Sequence, residues 1–322
     1  MDQIIFSFFR NSTSNRSKYF TLGVDVCQRP TKRFRGMLID IQYFFEFYSR
    51  KGKGMTQELG NGTVLCDVDA RGVVTVTLNR PQVNNAYNGD MIDGLHEALD
   101  LLGPKPDARV VVIKGNGRHF QAGADLAWIS SVSHTSPAEN ERASRLTAEA
   151  VRRLDIVPIP TVALIQGGCF GGGTGVASVC DIVVAAENAV FAITEARWGL
   201  MAGVILPQLC QAMGVRNVRR YALSSERFGP EVALRIGFVH EVCKLEELEA
   251  TGARIVDALL MNAPGAVTAT KMRTMAVAGS FLDDALFDEL VKQHSDMRQQ
   301  AEAAEGTASF LEKRLPKWYP GQ

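Results

Sequence analysis

The segment from Gly167 to Gly175 constrains this chain more than any other, because six of its nine residues are glycine. It follows the apolar run Thr161 to Ile165 and precedes the apolar run Val176 to Val179. This order predicts a strand, a glycine turn and a short buried helix. Glycine lets the backbone approach a ligand closely, and free N–H groups at a helix start favour negative charge. The segment therefore indicates an anion-handling site, with a ligand-free structural turn as the alternative.

Three common glycine motifs are excluded here. A phosphate-binding P-loop needs Lys and then Ser or Thr after its last glycine, whereas Val176 follows Gly175 in this chain. The segment also does not fit the dinucleotide-binding spacing Gly-x-Gly-x-x-Gly. The Gly-x-Ser-x-Gly turn of α/β serine hydrolases occurs nowhere in the chain. The remaining interpretation is an oxyanion hole, in which backbone N–H groups hold a thioester or enolate oxygen.

Charge divides the chain near residue 55. Residues 1–54 hold ten Lys and Arg against four Asp and Glu, with eleven of the chain's 25 aromatic residues. Residues 55–322 hold 25 Lys and Arg against 31 Asp and Glu, as an ordinary globular enzyme does. We interpret 1–54 as a disordered extension attached by a mistaken start codon. A targeting peptide and a genuine N-terminal extension remain the alternatives.

Composition also limits which cellular compartment and which classes of partner are expected. The six cysteines show no Cys-x-x-Cys spacing and no paired His ligands, which predicts free thiols in a reducing, cytoplasmic setting and no metal site. The chain lacks a run of 18 apolar residues, so we expect no membrane partner. The acidic excess of residues 55–322 argues against a nucleic-acid partner, despite the cluster Arg216, Arg219 and Arg220.

A second candidate donor site lies in the loop after the apolar strand Arg109 to Ile113. Asp125 ends this loop and predicts an N-cap, which leaves the N–H of Ala124 just ahead of a helix start. An ordinary cap on a surface loop is the alternative. His119 lies in the same loop, and we interpret it as a structural residue rather than a base.

Glu195 is the best candidate acid or base in the chain. It follows the apolar strand Ala189 to Ile193, where partial burial raises the pKa of a carboxyl group toward the range useful for proton transfer. A structural ion pair with Arg197 is the alternative.

The remaining pattern predicts an α/β fold. Val64 to Val68 and Val73 to Leu78 predict a hairpin, and later a strand, glycine turn, helix and strand recur, which resembles a spiral of ββα units. The final helices, including Leu248 to Met261 and Leu282 to Ala304, are amphipathic and suit packing or subunit assembly.

Several ordered motifs together resemble the crotonase (enoyl-CoA hydratase/isomerase) family. They cover nearly all of residues 60–322, and the branch that they resemble in style is that of bacterial 3-methylglutaconyl-CoA hydratases. The motifs are Leu78-Asn79-Arg80-Pro81 with Asn85-Ala86, His119 through Leu126, Gln166 through Gly173, Cys180-Asp181-Ile182 and Phe191 through Leu200.

The resemblance implies a crotonase-like spiral core over residues 55–252 and a C-terminal helical trimerisation region over 253–322. It also implies a homotrimer or homohexamer acting on an acyl-CoA thioester. The thioester oxygen would be held by the N–H groups of Ala124 and Gly172, with Glu195 as general acid and base. CoA contacts are expected at Arg80, Ala122, Asp125 and Lys271. No further cofactor is expected, because CoA is part of the substrate.

One position departs from the family pattern. Hydratases of this family commonly use two glutamates, and the second falls on Gly175 here. We therefore expect a hydratase for a branched 2-enoyl-CoA similar to 3-methylglutaconyl-CoA, working with one glutamate. An enoyl-CoA isomerase, which needs one base, and a generic enoyl-CoA hydratase are alternatives. A non-enzymatic acyl-CoA-binding or RNA-binding relative is a third, because fold does not fix function.

Overall fold

The first two long strands form the hairpin that the apolar pattern predicts. β2 (Val64–Val68) and β3 (Val73–Leu78) pair antiparallel, and the short β1 (Gln57–Leu59) pairs antiparallel with β2. The computed structural model describes residues 56–102 and 108–319. The predicted extension 1–54 lies outside the described residues.

A seven-stranded sheet continues from this hairpin in the order β1-β2-β3-β4-β5-β7-β9. From β3 onward every neighbouring pair is parallel. The added strands are β4 (Val110–Gly115), β5 (Thr161–Ile165), β7 (Ile182–Ala186) and β9 (Glu241–Cys243). Their nearly continuous apolar sequences follow from burial on both faces, which is usual in parallel sheets.

The structure also contains a second, smaller sheet of two strands. It pairs β6 (Gly168–Phe170) with β8 (Val190–Ala192) in parallel. β5 and β7 therefore belong to the large sheet, whereas the strands that directly follow them belong to the small sheet. This alternation forms the repeated ββα spiral that the sequence predicts.

Eleven α-helices lie within the described ranges 56–102 and 108–319. They are α1 (Gly89–Leu102), α2 (Leu126–Ser133), α3 (Pro137–Asp155), α4 (Gly172–Ser178), α5 (Leu206–Met213), α6 (Val215–Ser224), α7 (Pro230–Arg235), α8 (Leu248–Leu260), α9 (Pro264–Val277), α10 (Asp284–Arg298) and α11 (Ala301–Leu311). None of these helices is both long and apolar enough to cross a bilayer.

One sequence prediction needs correction in the C-terminal part. The single helix predicted over Leu282 to Ala304 is two helices, because Gln300 has an extended backbone and is the N-cap residue that precedes α11. The predicted division after residue 252 falls inside α8. Leu248 and Val256 of α8 pack in one apolar cluster with Val184 of β7.

The sheet separates two apolar clusters. Val76 and Ile113 contribute to the larger cluster, together with residues of α1 and α3. Val110 and Val112 contribute to the smaller one, on the side covered by α8. Neighbouring residues of a strand face opposite sides, so each strand supplies both clusters. The functional cavity opens on the side of α1 and α3.

Candidate active site

The predicted glycine turn forms a tight junction between β6 and α4. Gly171 has φ 49° and ψ −121°, a backbone region in which a side chain is strongly disfavoured. Its N–H donates to the carbonyl of Ala192 at 2.9 Å, which fixes the turn to β8. Gly172 is the first helical residue, so its N–H has no acceptor within the helix. The turn therefore presents a backbone donor to the cavity that Gly172 lines.

The second donor follows from a short parallel bridge between Tyr87 and Ala124. The N–H of Tyr87 donates to the carbonyl of Gly123 at 2.8 Å, and the N–H of Asp125 donates to the carbonyl of Tyr87 at 2.9 Å. Alternation along an extended backbone turns the N–H of Ala124 to the opposite side. Ala124 also lines the cavity.

Close backbone packing brings the two donor loops together. A Cβ atom built on Gly123 would lie 3.0 Å from the carbonyl oxygen of Phe170 and 3.6 Å from the Cα of Gly171. The N–H of Phe170 also donates to the carbonyl of Gln121 at 2.9 Å. Glycine at 123, with φ 87°, thus permits a close approach of the two loops that a side chain would hinder.

Asn85 fixes the loop that carries the second donor. Its side-chain amide donates to the backbone carbonyls of Asn116, His119 and Phe120 at 2.8 to 3.2 Å. Asn85 is fully buried, which makes these bonds stronger determinants of loop position than surface bonds would be. This contact gives a structural reason for the Asn-Ala pair in the sequence motif.

Glu195 begins a short 3₁₀ helix at the end of β8 and faces the glycine turn. A Cβ atom built on Gly171 would lie 3.1 Å from Oε1 of Glu195. The other carboxylate oxygen, Oε2, is buried and has no hydrogen-bond partner among the described residues. Burial raises the pKa of Glu195, and the backbone N–H groups of Glu195 and Thr194 lower it by less. Arg197 instead donates to the carbonyl of Ser225 at 3.0 Å, so the alternative ion pair is absent among the described contacts.

We expect Glu195→Gln to raise the melting temperature at neutral pH. Because the folded-state pKa is raised, the carboxyl group favours the folded state only while it is protonated, and that contribution is lost as pH rises through the folded pKa. A neutral amide avoids the cost of burying a charge. Calorimetry of both proteins from pH 4 to pH 8 should show a difference that grows with pH. A difference that is independent of pH would contradict this account.

Ile205 fills the space beside Gly175, the position at which the family pattern has its second glutamate. A Cβ atom built on Gly175 would lie 2.4 Å from Cγ2 and 3.0 Å from Cβ of Ile205. Ile205 is itself buried and belongs to the larger apolar cluster. The absence of a second carboxylate is therefore built into the packing of α4 against the residue that precedes α5.

The candidate donors and Glu195 share one cavity of about 750 Å³. Part of it extends between the sheet, α1 and α3, where the lining side chains are almost all apolar. This apolar part includes Val76, Leu95, Leu99, Val111, Ile113, Val151 and Leu154. Trp128, Trp198 and Met201 line the cavity as well, the last two with largely exposed side chains.

Two of the four predicted CoA-binding residues line the cavity, and the other two do not. Ala122 and Asp125 line the cavity. Arg80 is turned inward, where it donates to the carbonyl of Ala86 and pairs with Asp125 at 3.1 Å. The side chain of Arg80 is therefore mostly buried in this structure. Lys271 does not line the cavity. Its Nζ donates to the carbonyl of Ile159 and lies 2.7 Å from the Asp181 carboxylate.

Asp125 and His119 both have structural partners. Asp125 caps α2 by accepting from the N–H of Ala127, and its hydrogen bond to Arg80 lowers its pKa more than any other favourable contact, although burial opposes the shift. Nδ1 of His119 accepts from the N–H of Gly168 at 2.7 Å, and burial lowers the pKa of this histidine. Its predicted structural role agrees with this contact.

The sequence analysis did not identify three further residues that line the cavity. Tyr87, Arg197 and Arg227 all line the cavity, and the guanidinium of Arg227 lies 5.4 Å from the centre of the Phe170 ring. Tyr87 directly follows the Asn-Ala motif, a signal that could have identified it. Arg227 carries no comparable local signal. Among the described residues, no cluster of three or more His, Cys, Asp or Glu side chains could hold a metal ion.

Two free backbone donors and one buried carboxylate in a largely apolar cavity define a site suited to acyl thioester chemistry. Comparison with known proteins agrees: the family model described as enoyl-CoA hydratase/isomerase matches residues 69–321. The chain belongs to the enoyl-CoA hydratase/isomerase family and is an enzyme of the enoyl-CoA hydratase type.

Individual relatives support the same assignment. The chain is 30% identical over 259 residues to mevalonyl-coenzyme A hydratase sidH of Aspergillus fumigatus, covering 78% of this chain and 92% of the relative. It is 29% identical over 259 residues to the peroxisomal Delta(3,5)-Delta(2,4)-dienoyl-CoA isomerase of Arabidopsis thaliana, covering 76% and 92%. A crystal structure of an enoyl-CoA hydratase from Shewanella pealeana superimposes with a TM-score of 0.76 and 32% identity, covering 80% and 96%. The fold is therefore the crotonase fold.

Proposed function

We propose that this enzyme adds water to a branched 2-enoyl-CoA, with 3-methylglutaconyl-CoA as the expected type of substrate. The observation that carries the proposal is the buried Glu195 carboxylate beside the glycine turn whose first helical N–H belongs to Gly172. Ala124 supplies the second donor from the opposite loop. Fixed donors in a dry cavity stabilise a developing enolate oxygen by about 3 kcal/mol each.

The reaction needs one carboxylate for both proton transfers. Glu195 takes a proton from water while the water oxygen bonds to C3, and the electrons of the double bond move to the thioester oxygen. Ala124 and Gly172 hold the resulting enolate. Protonated Glu195 then returns the proton to C2, so that one water has been added and the carboxylate is regenerated. The raised pKa of Glu195 supports both its basic and its acidic role.

The cavity supports a branched acyl group. Its apolar part between the sheet, α1 and α3 suits hydrocarbon, whereas Arg197 and Arg227 supply positive charge elsewhere in its wall. These two cations suit a carboxylate on the acyl group or a phosphate of CoA. The relative named mevalonyl-coenzyme A hydratase supports the same general choice, because the mevalonyl group is branched.

Isomerisation of an enoyl-CoA is the second candidate. It requires one base to move a proton between two carbons, and the side chain of Ile205 occupies the space next to Gly175 where a second carboxylate would stand. The relative named as a dienoyl-CoA isomerase supports this candidate.

A substrate panel separates these functions. Purified protein receives 3-methylglutaconyl-CoA, 3-methylcrotonyl-CoA, crotonyl-CoA and 3-hexenoyl-CoA in parallel, and absorbance of the conjugated enoyl thioester is followed. We expect loss of absorbance with a branched substrate, faster than with crotonyl-CoA. Faster loss with crotonyl-CoA would favour a generic hydratase, and a rise with 3-hexenoyl-CoA would favour an isomerase. Binding of all four without turnover would point to a non-catalytic relative.

We also propose that the chain forms a homotrimer or homohexamer. Several large apolar side chains in the C-terminal part are exposed in the single chain, including Phe281, Phe287, Val291, Phe310 and Leu311. Such a concentration of exposed apolar surface supports burial against another subunit. Light scattering after gel filtration measures the mass directly.

The free thiols of the five described cysteines support a reducing compartment such as the cytoplasm.

A further inference from the structure

Tyr87 brings a polar side chain to the point where the two candidate donors meet. Its backbone is bridged to Ala124, through the carbonyl of Gly123 and the N–H of Asp125. The side chain of a residue in such a bridge emerges beside that of its partner. Tyr87 is therefore fixed next to one donor by its own main chain.

The ring of Tyr87 also lies against the other donor residue. A Cβ atom built on Gly172 would lie 2.5 Å from Cε1 of the ring and 3.5 Å from Cζ, the carbon that carries the hydroxyl. The Trp128 ring packs edge-on at 5.8 Å between centres and holds the tyrosine ring in place. The hydroxyl is thus held at the reacting end of the cavity, not in its apolar part.

The chemistry of this hydroxyl is that of a neutral donor. Tyr87 lines the cavity, and no side-chain hydrogen bond to a described residue affects its titration. Burial, reinforced by the nearby negative charge of Glu195, raises the pKa of Tyr87 to about 12. The phenol therefore keeps its proton at neutral pH and cannot serve as a base.

The reacting water can have only Glu195 as a carboxylate partner at this turn, because Ile205 fills the space at Gly175. We propose that the hydroxyl of Tyr87 donates a hydrogen bond to the water that Glu195 activates, and so positions that water over C3 of the enoyl group. This inference rests on the proposed hydration. Tyr87 keeps its own proton throughout: the proton lost by water goes to Glu195 and then to C2.

Two reactions of the same site separate this role from others. Hydration requires a positioned water, whereas exchange of a C2 proton of a saturated acyl-CoA with deuterium oxide requires Glu195 and the two backbone donors alone. The probes are 3-methylcrotonyl-CoA for hydration and isovaleryl-CoA for exchange, with crotonyl-CoA and butyryl-CoA as the unbranched pair. Exchange is followed by mass spectrometry.

We expect Tyr87→Phe to lower kcat for hydration about tenfold, the effect of one lost hydrogen bond, while the exchange rate stays within about twofold of wild type. Tyr221→Phe is the matched control. Tyr221 is buried among Phe228 and its neighbours and does not line the cavity, so both rates should remain at the wild-type level.

Three results would overturn the inference. Unchanged hydration in Tyr87→Phe would show that water does not need the hydroxyl. A parallel fall of hydration and exchange would assign the hydroxyl to the enolate oxygen or to the fold. Wild-type protein that exchanges C2 protons but hydrates none of the 2-enoyl-CoA substrates of the panel, 3-methylglutaconyl-CoA included, would reject the proposed hydration itself, and that result is read from the wild type alone.

Discussion

Glu195→Gln is expected to lower turnover by about 10²- to 10⁴-fold, the usual contribution of a positioned general acid or base. The amide has nearly the shape of the carboxylate but can neither accept the proton of water nor return it to C2. Because burial raises the pKa of Glu195, wild-type activity should also fall as the pH is lowered through that raised pKa and the carboxylate becomes protonated.

The kinetic form of this loss is specific. The N–H groups of Ala124 and Gly172 remain in place in the variant, so the thioester should still bind. We therefore expect kcat to collapse while KM changes little, which is the signature of an interaction required in the transition state. Initial rates with the best panel substrate measure both parameters.

Glu187→Gln provides the matched control. Glu187 lies in the turn between β7 and β8, only one strand ahead of Glu195, but its side chain is exposed and does not line the cavity. The same chemical change there should leave kcat and KM at wild-type values. Turnover of Glu195→Gln within a few-fold of wild type would remove this residue from the proposed mechanism.

Gly175→Glu is expected to prevent stable folding rather than to restore a second catalytic carboxylate. The Cβ atom alone would lie 2.4 Å from Cγ2 of Ile205, a distance that real structures do not tolerate. The carboxylate beyond it would enter an apolar region, where burial of an unpaired charge costs several kcal/mol. We expect little soluble protein, and a strongly lowered melting temperature for any that is recovered.

A double-mutant cycle tests the stated contact without the charge. Gly175→Ala alone should destabilise the protein by about 1–3 kcal/mol, through overpacking against Ile205. Ile205→Ala alone should cost about 2–5 kcal/mol, because it leaves a cavity in the core. The double variant should cost less than the two changes added together, since the new methyl group enters the space that the isoleucine vacated.

Chemical denaturation of the four proteins in this cycle gives the free energies of unfolding. Additive costs would show that Gly175 and Ile205 do not constrain each other. A Gly175→Glu protein that folds normally and hydrates faster than wild type would show that the site can accept two carboxylates after all.

Much of the site could be predicted because its signals are local. The six glycines of residues 167–175 predict a tight turn at a helix start, and Asp125 predicts an N-cap beside Ala124. Glu195 was selected because it ends an apolar strand, and burial does raise its pKa. The structure brings all three candidate groups, Ala124, Gly172 and Glu195, to one cavity.

Some side-chain partners are distant in sequence and could not be predicted. The ammonium of Lys271 pairs with Asp181, ninety residues earlier. The guanidinium of Arg80 pairs with Asp125, which the fold brings next to it. A cation's partner depends on which elements pack together, and charge patterns along the chain do not carry that information.

The sequence by itself determined the local conformations: the apolar strands, the capped helices and the glycine turn, each of which follows from backbone preferences within a few residues. Only the tertiary structure decided that Tyr87 lies against Gly172 and that Ile205 closes the space at Gly175. Both contacts join segments that become neighbours through the winding of the sheets, and their closeness is set by the shapes of side chains packed in three dimensions.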